Sequence, residues 1–423
     1  MTASRRPVGM AVAAAVVAGT LGWIGVVAIG LQLGAAKPSN LGFDLELLLQ
    51  AGRASVGGRS PYATELVSGT APTATHLFYS YPPPVAQAMA VFSWLPSVAA
   101  LVSWSVVAVT GLLAVAEGLR RRYAPGRSRL EVLAVTAAIA PLALPFAVGL
   151  LFGNYDVLFP MLYGAMLLAA IAPTRTSTLA GGAALVVASL KIHPASMGLW
   201  FLVRAFRERR AERAGEPSNG SARVVVVAGV IGLAVVALSV VLGGTAAWGD
   251  YARVIGAGTR AVVVDPRNAG IAALVAGSIG ADDGVARAVH LAVGLVALVV
   301  TVWAAWRRGD TVESFAWATA ASLVTLPVTW YHYPSAMIPV AIAAALRARG
   351  TGVVPVRGLL IAAGVVAAVA IAFLPLVYLA LGLVIAAARR SGQGAADVIT
   401  PERSPGPQPV SGPAPASDAR VAG

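Results

Sequence analysis

Long apolar runs dominate the chain, and arginines interrupt them more often than any regular polar face does. A helix needs roughly 20 apolar residues to cross a bilayer. Runs of that kind occur at about 10–33, 98–117, 131–150, 156–172, 224–242, 288–306 and 314–330. Three further regions are less regular: 179–203 is split by Lys191-Ile192-His193-Pro194, 330–346 is short, and 358–388 is divided at Leu374-Pro375. The first run follows Arg5 and Arg6 and is longer than the apolar core of a signal peptide, so it is expected to be retained as a span.

The arginines orient these spans. They gather at Arg5 and Arg6, at Arg120, Arg121, Arg122, Arg127 and Arg129, between 204 and 213, and at Arg307/Arg308, Arg347/Arg349 and Arg389/Arg390. If all these clusters are cytoplasmic, the short region crosses once and each split region crosses twice. The prediction is an all-α, polytopic integral membrane protein with about twelve transmembrane segments and both termini cytoplasmic. Residues 82–95 then lie on the outer face or dip into it. Two long outer loops result, about 34–96 and 243–287, each nearly neutral and each with an amphipathic stretch, 43–56 and 268–279, expected in the interface. Residues 1–390 read as one transmembrane domain, and 391–423, rich in Pro, Gly, Ser and Ala, as a disordered cytoplasmic tail without chemistry.

Composition excludes the soluble classes. Of 423 residues 58% are hydrophobic and 12% charged, about half the charged share of a soluble protein, and the mean hydropathy is +0.78. The net charge of +13 is therefore an orientation signal, and no nucleic acid partner is expected. Lysine occurs only at Lys37 and Lys191. Cysteine is absent, which excludes disulfides, thiolate metal sites and a cysteine nucleophile.

With that topology the unusual polar residues fall on one face. Asp44 and Glu46 open the first outer helix; His76, Tyr79 and Tyr81 precede Pro82-Pro83-Pro84; Asn154 and Asp156 occupy the next outer turn. Lys191 and His193 occupy the third, Asp265, Arg267 and Asn268 the second long loop, and Tyr331-His332-Tyr333 the turn after it. Each has a structural reading beside the chemical one. Asp44 suits the first turn of a helix, Asn154 and Asp156 suit caps, Lys191 suits snorkelling, and His332 suits an aromatic belt. Glu46, Arg53 and Arg59 read as solvated loop charges. No Walker loop, dinucleotide fingerprint, His-Glu-x-x-His or Gly-x-Ser-x-Gly is present.

The ordered set of motifs resembles glycosyltransferase family 87, membrane enzymes of the GT-C class. It comprises Asp44 and its helix, Gly57-Gly58-Arg59-Ser60-Pro61-Tyr62, Tyr79-Ser80-Tyr81-Pro82-Pro83-Pro84, Gly153-Asn154-Tyr155-Asp156, Ser189-Leu190-Lys191 with Pro194, Arg267-Asn268 and Trp330-Tyr331-His332-Tyr333. The likeness spans about residues 10–390. It departs from the family pattern at Asn154-Tyr155-Asp156, where Gln-x-Asn is usual, and at His193.

The resemblance implies a GT-C-like fold and a polyprenyl-phosphate sugar donor, typically mannose or arabinofuranose. It also implies an envelope glycolipid or glycan acceptor on the extracytoplasmic face, and a catalytic Asp early in the first outer loop, by position Asp44. Such a donor carries its own leaving group, so the chemistry needs a base and cations. Asp44 as general base, and Lys191 with Arg260 or Arg267 on the departing phosphate, meet that need. His332 is expected to assist the base, hold the phosphate or bind an acceptor hydroxyl, and Tyr62, Tyr81, Asn154, Asp156, His193 and Asn268 to bind substrate. Direct displacement inverts the anomeric centre, so a β-mannosyl lipid gives an α-mannoside; no cofactor is expected and no metal is strictly required. The polyprenyl chain, as a membrane lipid, is expected to reach the site between spans. Arabinofuranosyl transfer is the rival within the class. A transporter or lipid flippase is the rival outside it, although transporters place ionisable groups near the midplane and often carry internal repeats.

Overall fold

In a computed structural model, residues 5–36, 41–70, 78–214, 220–261, 267–307, 309–325, 328–348 and 352–396 are described. These described residues form helices and no strands. In order they are α1 (Arg5–Ala36), α2 (Phe43–Val56), α3 (Thr64–Val67), α4 (Pro83–Met89), α5 (Ser97–Tyr123), α6 (Arg129–Ile139), α7 (Leu144–Phe152), α8 (Phe159–Ile171) and α9 (Arg175–Ser189). Next come α10 (Ser196–Arg213), α11 (Ser221–Gly243), α12 (Ala246–Ala261), α13 (Ile271–Ile279), α14 (Asp283–Arg307), α15 (Thr311–Ser322), α16 (Ile338–Arg347), α17 (Val353–Val369) and α18 (Leu376–Ala396).

Among the described residues four helices are long and apolar enough to cross a bilayer alone: α5, α11, and the greater parts of α1 and α14. The 32 residues of α1 reach about 48 Å, well beyond a hydrocarbon core of roughly 30 Å. This makes the chain a membrane protein. The expected span at 131–150 is instead α6 and α7, bent by 75°. Pro141 and Pro145 flank the bend, and each removes a backbone donor from the helix ladder. Together the pair makes a fifth candidate. The expected span at 314–330 ends early, because α15 stops at Ser322. The remaining apolar stretches are shorter helices, such as 155–171, 333–347 and 353–369, so helix length and composition establish four to five of the about twelve expected segments among the described residues. Residues 391–396, expected in the tail, belong to α18, and residues 397–423 lie outside the described residues.

Small residues let helices approach closely, as membrane helices require. A Cβ on Gly19 of α1 would stand 2.0 Å from the Ala138 carbonyl oxygen of α6, and Trp23 Nε1 donates to Ala137 O at 2.8 Å nearby. At the centre α8 is buried along Phe159, Leu162, Tyr163, Met166 and Leu167 and packs against α5, α9, α15 and α16. The arginines of α5, α10 and α16 collect at one end of this bundle. Arg122 of α5 donates to Ile171 O at the end of α8, Glu117 holds Arg120 and Arg121, and Asp310 caps α15 while pairing with Arg347 of α16. Arg204, the first of the 204–213 cluster, is fully buried, 4.8 Å from the Trp200 ring, and donates to Thr311 at 3.2 Å.

Candidate active site

The opposite end of the bundle holds the polar cluster. Both amphipathic stretches expected there are helical, 43–56 as α2 and part of 268–279 as α13. α2 starts at Gly42, whose φ of 68° opens the helix and whose N–H donates to Leu151 O of α7 at 2.9 Å. α7 ends at Gly153, φ 64°. A Cβ there would lie 2.6 Å from Leu45 Cβ, so glycine is needed both for the backbone and for the contact. These two turns set the first carboxylate of α2 against the residue after Gly153. Asn154 Nδ2 donates to Asp44 Oδ2 at 2.7 Å.

Asn154 also caps: its Oδ1 accepts from Asp156 N at 2.9 Å, opening the 3₁₀ turn Tyr155–Leu158. One side chain thus both caps the turn and contacts Asp44. Asp156 is fully buried. Its Oδ2 accepts from Lys191 Nζ at 2.5 Å, and His332 Nε2 lies 2.9 Å from the same oxygen, off the line of a hydrogen bond. Ser335 Oγ donates to Asp156 O at 3.3 Å. A continuous chain thus runs from Asp44 through Asn154 and Asp156 to Lys191 and His332. Asp44 itself is half-buried, and among the described residues no group holds its Oδ1.

Lys191 owes its direction to an unusual backbone. Ile192 has φ 66° and ψ −64°, and His193 N donates to Lys191 O at 2.8 Å. This is a γ-turn of the rare, strained kind, at a β-branched residue for which positive φ is costly. It breaks α9 from α10 and turns Lys191 and His193 into the cluster. Lys191 Nζ lies 4.6 Å from the Tyr333 ring centre and 5.7 Å from that of Tyr81. His193 is buried and stacks on Tyr333 at 5.1 Å with 12° between planes. Burial pushes its imidazole pKa down to about 3, so it is neutral.

A row of aromatic rings continues outward: Tyr155, Tyr81, Tyr79, Tyr62 and Tyr251, neighbours spaced 5.4 to 6.1 Å. Tyr62 Oη donates to Tyr81 O at 2.9 Å, which fixes the Tyr-x-Tyr-Pro segment before α4. Burial, and then the Asp156 carboxylate, push the Tyr81 phenol well above its ordinary range. α12 closes over the segment after α2 through Tyr251 and a Ser60–Asp250 hydrogen bond of 2.9 Å.

Of the expected site residues, Asp44, Asn154, Asp156, Lys191, His193, His332 and Tyr81 are thus brought together, with Tyr62 at the next ring but one. Asn268 is placed differently. Its Oδ1 accepts from Gly270 N and Thr329 N, both at 2.8 Å, so this oxygen clips the second long loop to the turn before His332. Arg267 lies 5.8 Å from the Trp330 ring in that turn. The Arg260 side chain, His76 and Asp265 lie outside the described residues. Glu46 pairs with Arg53 and accepts from Ser97 at 2.8 Å, as solvated charges do. Tyr333, which the sequence placed in the late motif without a role, and Ser335, which it did not single out, join the site. The Tyr333-Pro334 step marks the start of the helical turn that carries both.

No curated protein and no solved structure matched the chain. The model of glycosyltransferase family 87 matches residues 79–329, which takes in Tyr81, the Asn154–Asp156 turn and the Lys191 break, begins after Asp44 and ends just before His332. Covering more than half of the sequence, it settles descent where neither helices nor polar clusters alone would: this chain belongs to glycosyltransferase family 87.

Proposed function

We propose that this membrane glycosyltransferase moves mannose from a polyprenyl-phosphate donor to an envelope glycolipid or lipoglycan, with inversion, on the extracytoplasmic face. In this reading the chain keeps about twelve crossings with both termini cytoplasmic, so that the arginine-rich end faces inward and the Asp44 end outward. The observation that carries it is the linkage of a half-buried carboxylate to a lysine through Asn154 and Asp156, at distances of 2.7, 2.9 and 2.5 Å.

Asp44 Oδ1 takes the proton of the acceptor hydroxyl, while Asn154 holds Oδ2 and fixes the carboxylate plane. The acceptor oxygen forms its bond to the anomeric carbon from the face opposite the phosphate. The bond from that carbon to the phosphate oxygen breaks, and the electron pair leaves with the phosphate. Charge grows on that phosphate in the transition state, where a preoriented cation stabilises it most. Lys191 supplies an N–H, His332 a second contact, and Arg267 or Arg260 of the second long loop a further positive charge. Tyr62, Tyr81 and His193 with the 154–156 turn line the sugar and acceptor side. A β-mannosyl donor yields an α-mannoside.

The test uses the purified full chain in detergent with an envelope lipid extract and, in parallel, polyprenyl-phosphate mannose and polyprenyl-phosphate arabinofuranose, each radiolabelled. Label from the mannosyl donor is expected in an alkali-resistant glycolipid. Transfer from the arabinofuranosyl donor alone would overturn the sugar assignment, and transfer from neither would overturn the donor class.

A further inference from the structure

Lys191 is one of two lysines in the chain, and its ammonium is enclosed more by rings than by charges. On one side Asp156 Oδ2 accepts a hydrogen bond of 2.5 Å. On another the Tyr333 ring centre is 4.6 Å away, within the range of a cation–π contact, and the Tyr81 ring stands at 5.7 Å. Tyr333 is itself backed by His193 at 5.1 Å, nearly parallel, and His193 is held edge-on by Phe159 at 5.4 Å. The order is therefore Phe159, His193, Tyr333, Lys191, with Tyr81 alongside. All of these except Lys191 and Tyr81 are buried. An ammonium carries three N–H bonds. Asp156 accepts one, and the Tyr333 face accommodates a second.

We infer that Tyr333 is a positioning residue: its ring face, backed by His193, holds the Lys191 ammonium so that a single N–H remains directed at the donor phosphate. This rests on the reading of Lys191 as the phosphate ligand given above. The ring does this work, and the phenol oxygen does not.

The test reads Lys191 directly. Growth on lysine isotopically labelled at Cε gives the full-length protein two lysine side-chain signals, and Lys37→Arg assigns them. A methylene beside a ring face is shifted upfield by the ring current, so the Lys191 signal is expected upfield of Lys37 in the parent protein. Tyr333→Phe is expected to keep that shift, and Tyr333→Leu to abolish it. In transfer assays Tyr333→Leu is expected to raise donor KM by about ten- to thirtyfold, the size of a desolvated cation–π contact, and Tyr333→Phe to rescue most of that loss. If Tyr333→Leu does not fold, Tyr333→Met supplies bulk without a ring face. A Lys191 signal at the Lys37 position in the parent protein, or a shift lost equally in Tyr333→Phe, overturns the inference. If the shift behaves as expected while Lys191→Ala leaves donor KM unchanged, the clamp stands and the phosphate role of Lys191 falls.

Discussion

Asn154 joins two functions that sequence alone presents as alternatives. It caps the turn that carries Asp156 and holds the Oδ2 of Asp44. Replacing it with Ala removes both contacts while leaving every charged group in place. The expected outcome is a fall in kcat of about ten- to a hundredfold, as for a catalytic group displaced by an ångström or so, with little change in donor KM. A steady-state comparison of the two parameters checks it. His193 yields a prediction about pH. An imidazole whose folded pKa is near 3, against about 6.5 unfolded, binds fewer protons folded than unfolded between those values. Its neutral form is matched to the fold above about pH 6.5, and stability is lost as pH falls through that window, by about 2 kcal/mol near pH 5. His193→Phe keeps a flat ring against Tyr333 without a titrating group. Its melting temperature in detergent is expected to fall less between pH 7 and pH 5 than that of the parent protein.

Helix breaks, more than helices, build the site. Asn154 and Asp156 come just after the end of α7, Lys191 just after α9, and His332 precedes α16. The breaks at Pro194 and at Leu374-Pro375 are legible because proline interrupts the pattern, and α2 is legible because its apolar positions recur on one face. The bend between α6 and α7 is concealed, since a run with Pro141 and Pro145 still has the hydropathy of a span. The γ-turn at Ile192 has no sequence signal at all: a β-branched residue is a poor marker for positive φ, and the tertiary surroundings impose it. Gly153 tests this scale. Gly153→Ala introduces a Cβ at φ 64° and 2.6 Å from Leu45, so α2 and α7 must separate. A loss of about 2 kcal/mol or more is expected, seen as a lower melting temperature together with reduced transfer.

At the scale of the whole molecule, the arginines of α5, α10 and α16 and the polar cluster occupy opposite ends of the central helices. Arg122 meets the last turn of α8, and Asp156 lies in the turn before its first. The arginine spacing makes this polarity readable from the sequence, because charge in a membrane protein must end where the hydrocarbon does. The number of crossings is less readable. Half-length helices and broken pairs carry the same hydropathy as full spans, and only their packing separates them. The absence of cysteine makes sidedness directly measurable. In intact cells Ser68→Cys, in the first outer loop, is expected to react with a membrane-impermeant maleimide, whereas Arg127→Cys is expected to react only after permeabilisation. The reverse pattern would invert the proposed orientation.

Every step of the proposed transfer turns on Asp44 as its base. The direct measurement is the single-turnover rate of transfer from polyprenyl-phosphate mannose to envelope lipid extract by the parent protein and by Asp44→Asn, with donor binding measured on both. Asparagine keeps the shape and the contact to Asn154 but cannot take a proton. The predicted result is a rate lowered by about 10² to 10⁴-fold, the usual share of a general base, with donor affinity retained. Equal rates in the two proteins would contradict it.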